Sequence, residues 1–348
     1  IIIPDSVVSI GDSSFNSDQN LESIYIGSGL ESIGENSFHG CLKLASINVS
    51  KDNQMFSSFD GLLYIKNFTI LEEIPKGKSG TLILHDNLTL IPEDAFYSLI
   101  NLTSVAIGNS VISIGDWSFY GCNGLTSLTI PPSVTSIGNH AFKRCEGIIS
   151  LKIPSSVTAI GESSFEKCTG LTSLEISSKL KTIPNCAFQN CCGITSLIIP
   201  SSITSIGSNA FENCYGITSL EMNIGLETIN YHTFTNCSSL VSLNIPSSVT
   251  YIGSSAFSLC TRLTSLMLPF SIMSIDNYAF ENCYYLSSIK FLGIKEPKSG
   301  NYIFSHCNDL NYIEVPIDYE TDSFCKIRVN KTLILDFPSS NVEYDSSV

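Results

Sequence analysis

The amino-acid sequence predicts a β-rich solenoid, because two residue types and one strand-like pattern recur every 23 residues. The phenylalanine column consists of Phe96, Phe119, Phe142, Phe165, Phe188, Phe211, Phe234, Phe257 and Phe280. The cysteine column consists of Cys122, Cys145, Cys168, Cys191, Cys214, Cys237, Cys260 and Cys283. A fixed period of this length is typical of a solenoid, in which each repeat is one coil stacked on the previous coil.

The first half of each coil is predicted to be a short β-strand. In residues 125–147, Leu128 and Ile130 alternate with polar neighbours, which indicates a strand with one buried and one solvated face. Successive coils are expected to pair these strands in parallel, about 4.8 Å apart. Pro131 has no N–H to donate to a neighbouring strand, so the strand should end there.

The second half of each coil is predicted to contain another short strand and a turn. Residues 134–137 form this strand, and Gly138 follows it. Proline occupies the position of Gly138 in two other coils and cannot adopt a positive φ, so we expect this glycine to reflect a lack of space. Residues 139–144 are expected to form one turn of α or 3₁₀ helix, with Phe142 and Cys145 on its inner side.

The repeat is interrupted between Phe38 and Phe96, where one coil carries 12 extra residues. This insert, at about residues 52–80, contains Asp60-Gly61 followed by two extended runs, residues 62–65 and 69–71, around the short turn at residues 66–68, which predicts a β-hairpin. We expect the hairpin to project from one edge of the solenoid. Its tip is a possible second binding site: Lys66, Asn67 and Phe68.

The chain is predicted to form one solenoid with a terminal cap. Residues 1–307 fit about 12–13 coils, counted on the phenylalanine column and its extensions. Beyond them the pattern weakens, and residues 308–348 are expected to cap the last coil, because an uncapped solenoid end exposes core residues and an unpaired strand. The chain begins without Met and part-way through a repeat, so we expect any signal or anchor to lie outside it.

The repeats closely resemble a known family. Several of them read Ile-Pro-Ser-Ser-Val-Thr-Ser-Ile-Gly and continue to Ala-Phe-x-x-Cys, a pattern similar to the BspA-like leucine-rich repeats, also called the Treponema pallidum type. The resemblance covers about residues 1–315 and implies an arc whose first strands line the concave side. The fold prediction is therefore a β-rich α/β solenoid, a right-handed leucine-rich-repeat superhelix with short strands and 3₁₀ or α turns. The resemblance also implies a surface protein of a bacterium or parasitic protist, often linked to adhesion.

Composition and motifs argue against several functions. The formal net charge of −14 disfavours nucleic acid and anionic membranes as partners, because both select basic surfaces. The sequence has no apolar run of about 18 residues that would cross a membrane. It also has no H-E-x-x-H, G-x-S-x-G or P-loop motif, and its five histidines are not spaced for metal binding or catalysis. We therefore predict a protein without enzymatic activity, cofactor or metal.

The 13 cysteines are predicted to be mostly buried free thiols. Equivalent cysteines of adjacent coils would lie about 5 Å apart, within the disulfide range, but a small buried apolar residue suits every coil. No C-x-x-C motif occurs, and cysteines along a line do not surround a metal ion. The better candidates for disulfide bonds are those assigned outside the column: Cys41, Cys186, Cys192, Cys307 and Cys325.

The solvated face of the first strands is the main candidate binding surface. Its serine column is nearly uniform: Ser104, Ser127, Ser150, Ser173, Ser196, Ser219, Ser242, Ser265 and Ser288. The variable column, two residues further on, consists of Tyr25, Ile83, Ala106, Thr129, Lys152, Glu175, Ile198, Glu221, Asn244, Met267 and Lys290. This variation fits either a binding surface or free drift of solvated positions, and apolar residues on an exposed strand favour binding.

Three functions remain open at this point. The first is a monomeric adhesion or recognition protein, at the cell surface or secreted, that binds a protein or glycan of a host or neighbouring cell. The second is an intracellular scaffold or effector that uses the same face. The third is an architectural, self-assembling surface protein. Family resemblance favours the first function, and many free thiols favour the second.

Overall fold

The computed structural model describes residues 1–333, which form a β-solenoid of about 14 turns. Most turns contribute two short strands, and these strands pair in parallel with an equivalent strand in a neighbouring turn, except where a ladder is interrupted. The first strands are Ile2–Ile3, Ser23–Ile26, Ser46–Val49, Gly80–Ile83, Leu102–Ala106, Ser127–Leu128, Ser150–Lys152, Ser173–Glu175, Ser196–Ile199, Ser219–Met222, Ser242–Asn244, Ser265–Leu268, Ser288–Phe291, Ile313–Pro316 and Ile327–Thr332. The second strands are Ser9–Ile10, Ser32–Ile33, Leu90–Ile91, Ser113–Ile114, Ser136–Ile137, Ala159–Ile160, Thr182–Ile183, Ser205–Ile206, Thr228–Ile229, Tyr251–Ile252, Ser274–Ile275 and Lys298–Ser299.

The predicted helical turn is wrong, and the described residues form an all-β structure. Within residues 139–145, His140 and Arg144 have left-handed φ values of +55° and +62°, which interrupt any helix. The N–H of Phe142 donates to the carbonyl of Ser164 in the next coil at 2.8 Å, and His140 and Arg144 donate in the same way. In a helix these N–H groups would donate to carbonyls of the same turn. Here they donate to carbonyls of the next coil.

The second left-handed position of the turn explains a local preference for asparagine and glycine. Asn190, Asn213 and Asn236 occupy it with φ near +60°, a conformation that asparagine tolerates better than most residues. Their side chains also bond along the column, because the amide of Asn213 donates to Asn190 at 3.1 Å and that of Asn236 donates to Asn213 at 2.9 Å. Polar side chains thus extend the contacts between coils outside the backbone.

The phenylalanine column forms a continuous stack of aromatic rings inside the solenoid. From Phe96 to Phe304, neighbouring ring centroids lie 4.6–5.6 Å apart and neighbouring planes differ by at most 16°. The rings are buried, and the ring of each coil contacts those of the coils on either side. The stack contributes apolar burial and aromatic contact at every step between coils.

Ten cysteines form the cysteine column, and their thiols have a specific role. Each Sγ donates to the carbonyl of the phenylalanine in the preceding coil at 2.9–3.5 Å. The carbonyl of Phe142, for example, accepts the N–H of Cys145 at 3.1 Å and the thiol of Cys168 at 3.3 Å. Cysteine therefore satisfies a buried carbonyl that a purely apolar residue would leave with one bond.

The assignment of five cysteines outside the column was partly wrong. Cys41 and Cys307 follow Phe38 and Phe304 by three residues, and both belong to the column. All 13 cysteines lie in the described part of the chain, and all are free thiols. None of the suggested disulfide bonds is present among these residues.

The glycine that follows the second strand reflects a lack of space, as predicted. A Cβ added at Gly138 would lie 2.3 Å from Oδ1 and 2.5 Å from the backbone nitrogen of Asp116 in the preceding coil. Its φ is not among the left-handed values. The close approach of two backbones therefore requires glycine here, and an unusual conformation does not.

The insert forms a three-stranded antiparallel sheet, Phe56–Phe59, Leu62–Ile65 and Leu71–Glu73. Asp60 and Gly61 make its first turn with left-handed φ values of +51° and +74°, which suit a two-residue hairpin. Tyr64 packs in the larger core cluster, whereas Leu63 packs in the cluster of the N-terminal coils. The sheet thus lies across the stack and does not project from its edge as expected.

The last described coils continue the first-strand ladder and add one antiparallel strand. The first-strand ladder continues through Ile313–Pro316 to Ile327–Thr332, and Ser323–Phe324 pairs antiparallel with the last strand. Phe324 is buried and lies 4.8 Å from Phe291 between ring centroids. These contacts bury apolar side chains of the last described coils, and a cap remains a proposal. Residues 334–348 of the predicted cap lie outside the described residues.

Phe188→Ala should lower the free energy of unfolding by about 3–5 kcal/mol, because it removes one ring and leaves a cavity between two others. Phe270→Ala is the matched control, since this side chain is 68% exposed and should change stability by less than about 0.5 kcal/mol. Urea denaturation of both variants measures the difference. Equal effects of the two substitutions would contradict the stacked core.

Burial raises the pKa of Cys168 to about 12, so at pH 8 roughly one thiol in 10⁴ there is the reactive thiolate. We expect Ellman's reagent to modify the half-exposed Cys186 and Cys192 first in the native protein. In denaturant without reductant, the same reagent should count all 13 thiols. A count lower by two or more would reveal disulfide bonds that the structure does not contain.

Candidate binding surface

The variable column lies on the solvent-facing side of the first strands, opposite the side that packs in the core. Its residues occupy equivalent ladder positions, for example Lys152 opposite Glu175 and Ile198 opposite Glu221. Met267 and Lys290 are half-buried, and the other predicted site residues are exposed: Tyr25, Thr129, Lys152, Glu175, Ile198, Glu221 and Asn244. Strand pairing thus aligns these residues in separate groups: Lys152 with Glu175, Ile198 with Glu221, and Asn244 with Met267 and Lys290. Tyr25 lies in the sheet on the N-terminal side of the insert.

The floor beside the variable column presents small and uncharged groups. Most members of the serine column are exposed. One position earlier, threonine is common, and its hydroxyl often bonds to the backbone: Thr172 donates to the carbonyl of Ile149 at 3.2 Å, and Thr218 donates to Thr195 at 3.0 Å. The backbone therefore uses these hydroxyl groups. In two other coils the same position holds Ile149 and Val241, which are 56% and 41% exposed and add apolar groups beside the variable column.

The charges of the variable column are only partly paired. Lys152 Nζ lies 2.7 Å from Glu175 Oε1, with the two side chains 70% and 63% exposed. An ion pair this exposed contributes little stability and exchanges easily with other partners. Glu221 makes no ion pair or side-chain hydrogen bond with any residue that the structure describes. The carboxylates at these two positions are therefore accessible to a ligand.

The ladder of the first strands is interrupted between Ser173–Glu175 and Ser196–Ile199. Each of these strands pairs with the neighbour on its other side, so within residues 1–333 they belong to separate sheets. Similar interruptions precede the strands Ser150–Lys152 and Ser242–Asn244. We call each interruption a seam, and successive seams are two coils apart.

Proline accompanies each seam. The first strand on the C-terminal side of the three seams is followed by Pro154, Pro200 and Pro246. Where another residue occupies this position, its N–H can extend the ladder, as when Asn223 donates to the carbonyl of Ile199 at 3.3 Å. Proline cannot make this bond. The coils of Pro131 and Pro269 nevertheless stay paired, so proline permits a seam without requiring one.

The seam before Ser196–Ile199 opens into a cleft of about 470 Å³ on the candidate surface. Glu175 and Ile198 of the variable column line it, together with serine and threonine side chains and Pro200. Leu174 is half-exposed there, although its equivalents Leu151 and Leu197 are buried. The cleft thus combines a carboxylate, hydroxyl groups and an apolar wall. The proline pattern was the sequence signal that could have located it.

The suggested hairpin tip is held against the neighbouring coils. The ring of Phe68 stacks on His85, with centroids 4.0 Å apart and planes within 8°. Lys66 Nζ donates to the carbonyls of Lys51 and Asn53. Asn67 is exposed, and its carbonyl accepts a hydrogen bond from the amide of Asn87. Two of the three side chains therefore stabilise the insert, and we make no binding proposal for this turn.

An aromatic cluster on the turn side was not recognised in the sequence. Trp117 stacks on His140 with centroids 3.9 Å apart, and Tyr97 stacks on Tyr120 at 4.8 Å. Each pair is separated by 23 residues, and that spacing was the available signal. Burial lowers the pKa of His140, which favours the neutral imidazole in this stack. The cluster adds contacts between coils.

The described residues contain no group of three or more His, Cys, Asp or Glu side chains placed to hold a metal ion. Across the same residues, no helix is long and apolar enough to cross a membrane.

The repeats match a family model. The model of the BspA type leucine-rich repeat region matches in six copies, over residues 1–82, 89–218 and 205–327. Among curated protein sequences, none matches the chain significantly.

Two solved bacterial structures share the fold, and a third has a lower structural similarity. A leucine-rich repeat protein from Bacteroides ovatus is 26% identical, with a TM-score of 0.56. The match covers 95% of this chain and 92% of that protein. One from Eubacterium ventriosum is also 26% identical, with a TM-score of 0.51 over 74% of this chain; the match spans 64% of that protein. A leucine rich cell surface protein from Faecalibacterium prausnitzii is 24% identical over 82% of this chain and 83% of its own, with a TM-score of 0.44.

Pro200→Ala should close the seam before Ser196–Ile199 in part, because it restores an N–H that can donate to the preceding coil. Amide hydrogen exchange at residues 196–199 should slow as the ladder forms. Pro269→Ala is the control, since that coil is already paired and its exchange should not slow. Unchanged exchange at residues 196–199 would show that proline does not maintain the seam.

Proposed function

Because the chain belongs to the BspA-type leucine-rich repeat family, we propose that it is a non-enzymatic recognition protein that binds another macromolecule through the first strands. The observation that carries this proposal is the contrast between two neighbouring columns. The serine column hardly varies, whereas the variable column includes Tyr25, Ile83 and Ile198, which are 43%, 49% and 54% exposed. Apolar side chains exposed on an ordered strand gain free energy when a partner covers them.

The proposed partner is a protein or glycan of a host or neighbouring cell, and the proposed location is the cell surface or the exterior. Family resemblance supports both statements. In leucine-rich repeats the first strands line the concave side, where a rigid row of side chains contacts a ligand without first becoming ordered. A preorganised surface of this kind lowers the entropy cost of binding.

An intracellular scaffold is the second candidate, favoured by the 13 free thiols, since free thiols are typical of reducing compartments. It would use the same face on a cytosolic partner. Antibody labelling of intact and permeabilised cells separates the two locations. Signal on intact cells supports the surface protein, and signal restricted to permeabilised cells supports the scaffold.

The double variant Ile198→Asp with Met267→Asp should lose partner capture on an array of matrix proteins and glycans, because it removes two apolar contacts from the binding face and replaces them with groups that resist desolvation. The matched control is Ile112→Asp with Met273→Asp, which changes the same residue types beside the second strands, where both are exposed. Surface substitutions of this kind should leave stability nearly unchanged, as thermal unfolding can verify.

The comparison between the two double variants decides the proposal. Loss of capture in the first variant alone supports recognition through the first strands. Equal capture by both variants and the unchanged protein would exclude this face, and loss in both would indicate a general effect of added negative charge.

A further inference from the structure

The cleft at the seam before Ser196–Ile199 and the residues around it indicate what kind of ligand this face would take. Ile198 is 54% exposed and lies between two carboxylates of the variable column, Glu175 in the preceding coil and Glu221 in the following coil. The two glutamates are two coils apart. Equivalent positions are separated by at least about 9.6 Å, because one of the two steps is the unpaired seam. An apolar side chain with a carboxylate on each side is the complement of a long side chain with an aliphatic stem and a cationic end.

We infer that this site binds a basic segment of a partner protein, with arginine or lysine stems on Ile198 and their cationic groups at Glu175 and Glu221. This inference rests on the proposed function and names the chemistry of its ligand.

The resident ion pair does not prevent such binding. Lys152 holds Glu175 in a pair whose side chains are 70% and 63% exposed, and a guanidinium can replace the ammonium with two parallel hydrogen bonds. Glu221 makes no ion pair within residues 1–333. At Glu221 a cation therefore gains a new contact, whereas at Glu175 it replaces an existing one.

The rest of the molecule favours a cationic ligand as well. The net charge of −14 attracts basic segments over a distance of about a Debye length, and this attraction speeds encounter. It does not by itself choose a site, because carboxylates occur on every side of the solenoid. Specific binding requires the apolar wall of Ile198 and Pro200 between the two charges, and the cleft of about 470 Å³ provides the depth to cover a side-chain stem.

The probe is a fluorescein-labelled peptide, Gly-Arg-Pro-Pro-Arg-Gly, whose prolines favour the polyproline II conformation with three residues per turn. Its two arginines then project from the same side about 9 Å apart, close to the separation of the two glutamates. Fluorescence anisotropy should show binding that weakens as salt rises. Glu175→Gln with Glu221→Gln should lower the affinity about tenfold or more, since it removes two charge-assisted contacts. The matched control, Glu146→Gln with Glu227→Gln, changes the net charge equally at two exposed positions elsewhere and should change the affinity less than about twofold.

A second peptide tests the apolar contact. It carries the same guanidinium groups on stems shortened by two methylene groups. The unchanged protein should bind it less tightly than the arginine peptide, and Ile198→Ser should reduce this difference. A stem contact predicts this loss of discrimination, which charge attraction alone would not produce.

The inference is overturned if the unchanged protein does not bind the arginine peptide, or if the control pair weakens binding as much as the site pair. It is also overturned if stem length makes no difference. Failure of the wider proposal looks different, because array capture would then be indifferent to Ile198→Asp with Met267→Asp. Capture that depends on that face, without arginine-peptide binding, would keep the recognition function and remove the basic ligand.

Discussion

The rest of this structure depends on one constraint: equivalent residues of successive coils must lie in the same register. Backbone N–H groups in the turn donate to the next coil, the phenylalanine rings stack along the same direction, and each column thiol donates to the carbonyl of the preceding phenylalanine. These three contacts need the inward residues of successive coils to stay in register. The step from Phe280 to Phe304 has 24 residues and still keeps the ring contact at 5.6 Å and the thiol contact of Cys307 at 3.3 Å, because the additional residue lies outside these contacts. The inward residues are therefore restricted, and the outward residues are free to vary.

The parts of the fold that depend on this repeat could be predicted from the sequence, and the local backbone conformation could not. Phe142 and Cys145 are three residues apart, a spacing that suits a helical turn and also a turn with two left-handed residues. Sequence spacing does not distinguish these turns, because both place the same side chains inward. Left-handed positions are usually recognised by glycine, and here His140 and Arg144 occupy them.

The insert shows a second limit of sequence reasoning. Its alternating residues predicted strands, but alternation does not say what each face contacts. Both faces of the inserted sheet are covered by core residues, because Leu63 packs toward the N-terminal coils and Tyr64 toward the remaining coils.

The candidate site was also predictable only in part. The variable column could be located from its spacing alone. The position of the cleft could not be located in this way, because it depends on which strands remain paired. The coil of Pro200 follows a seam, whereas the coil of Pro269 is paired with the preceding coil.

The number of free thiols is weak evidence for a reducing cellular compartment. A column thiol must leave a phenylalanine carbonyl before it can bond to another sulfur, and that leaves a buried acceptor with one partner fewer. Desolvation also holds the pKa of the buried thiols such as Cys145 well above the usual value, so thiolate, the species that exchanges, is scarce. The column thiols whose pKa is raised in this way can therefore persist in an oxidising environment as they do in a reducing one. The half-exposed Cys186, Cys192 and Cys325 are the thiols whose oxidation state reports where the protein resides.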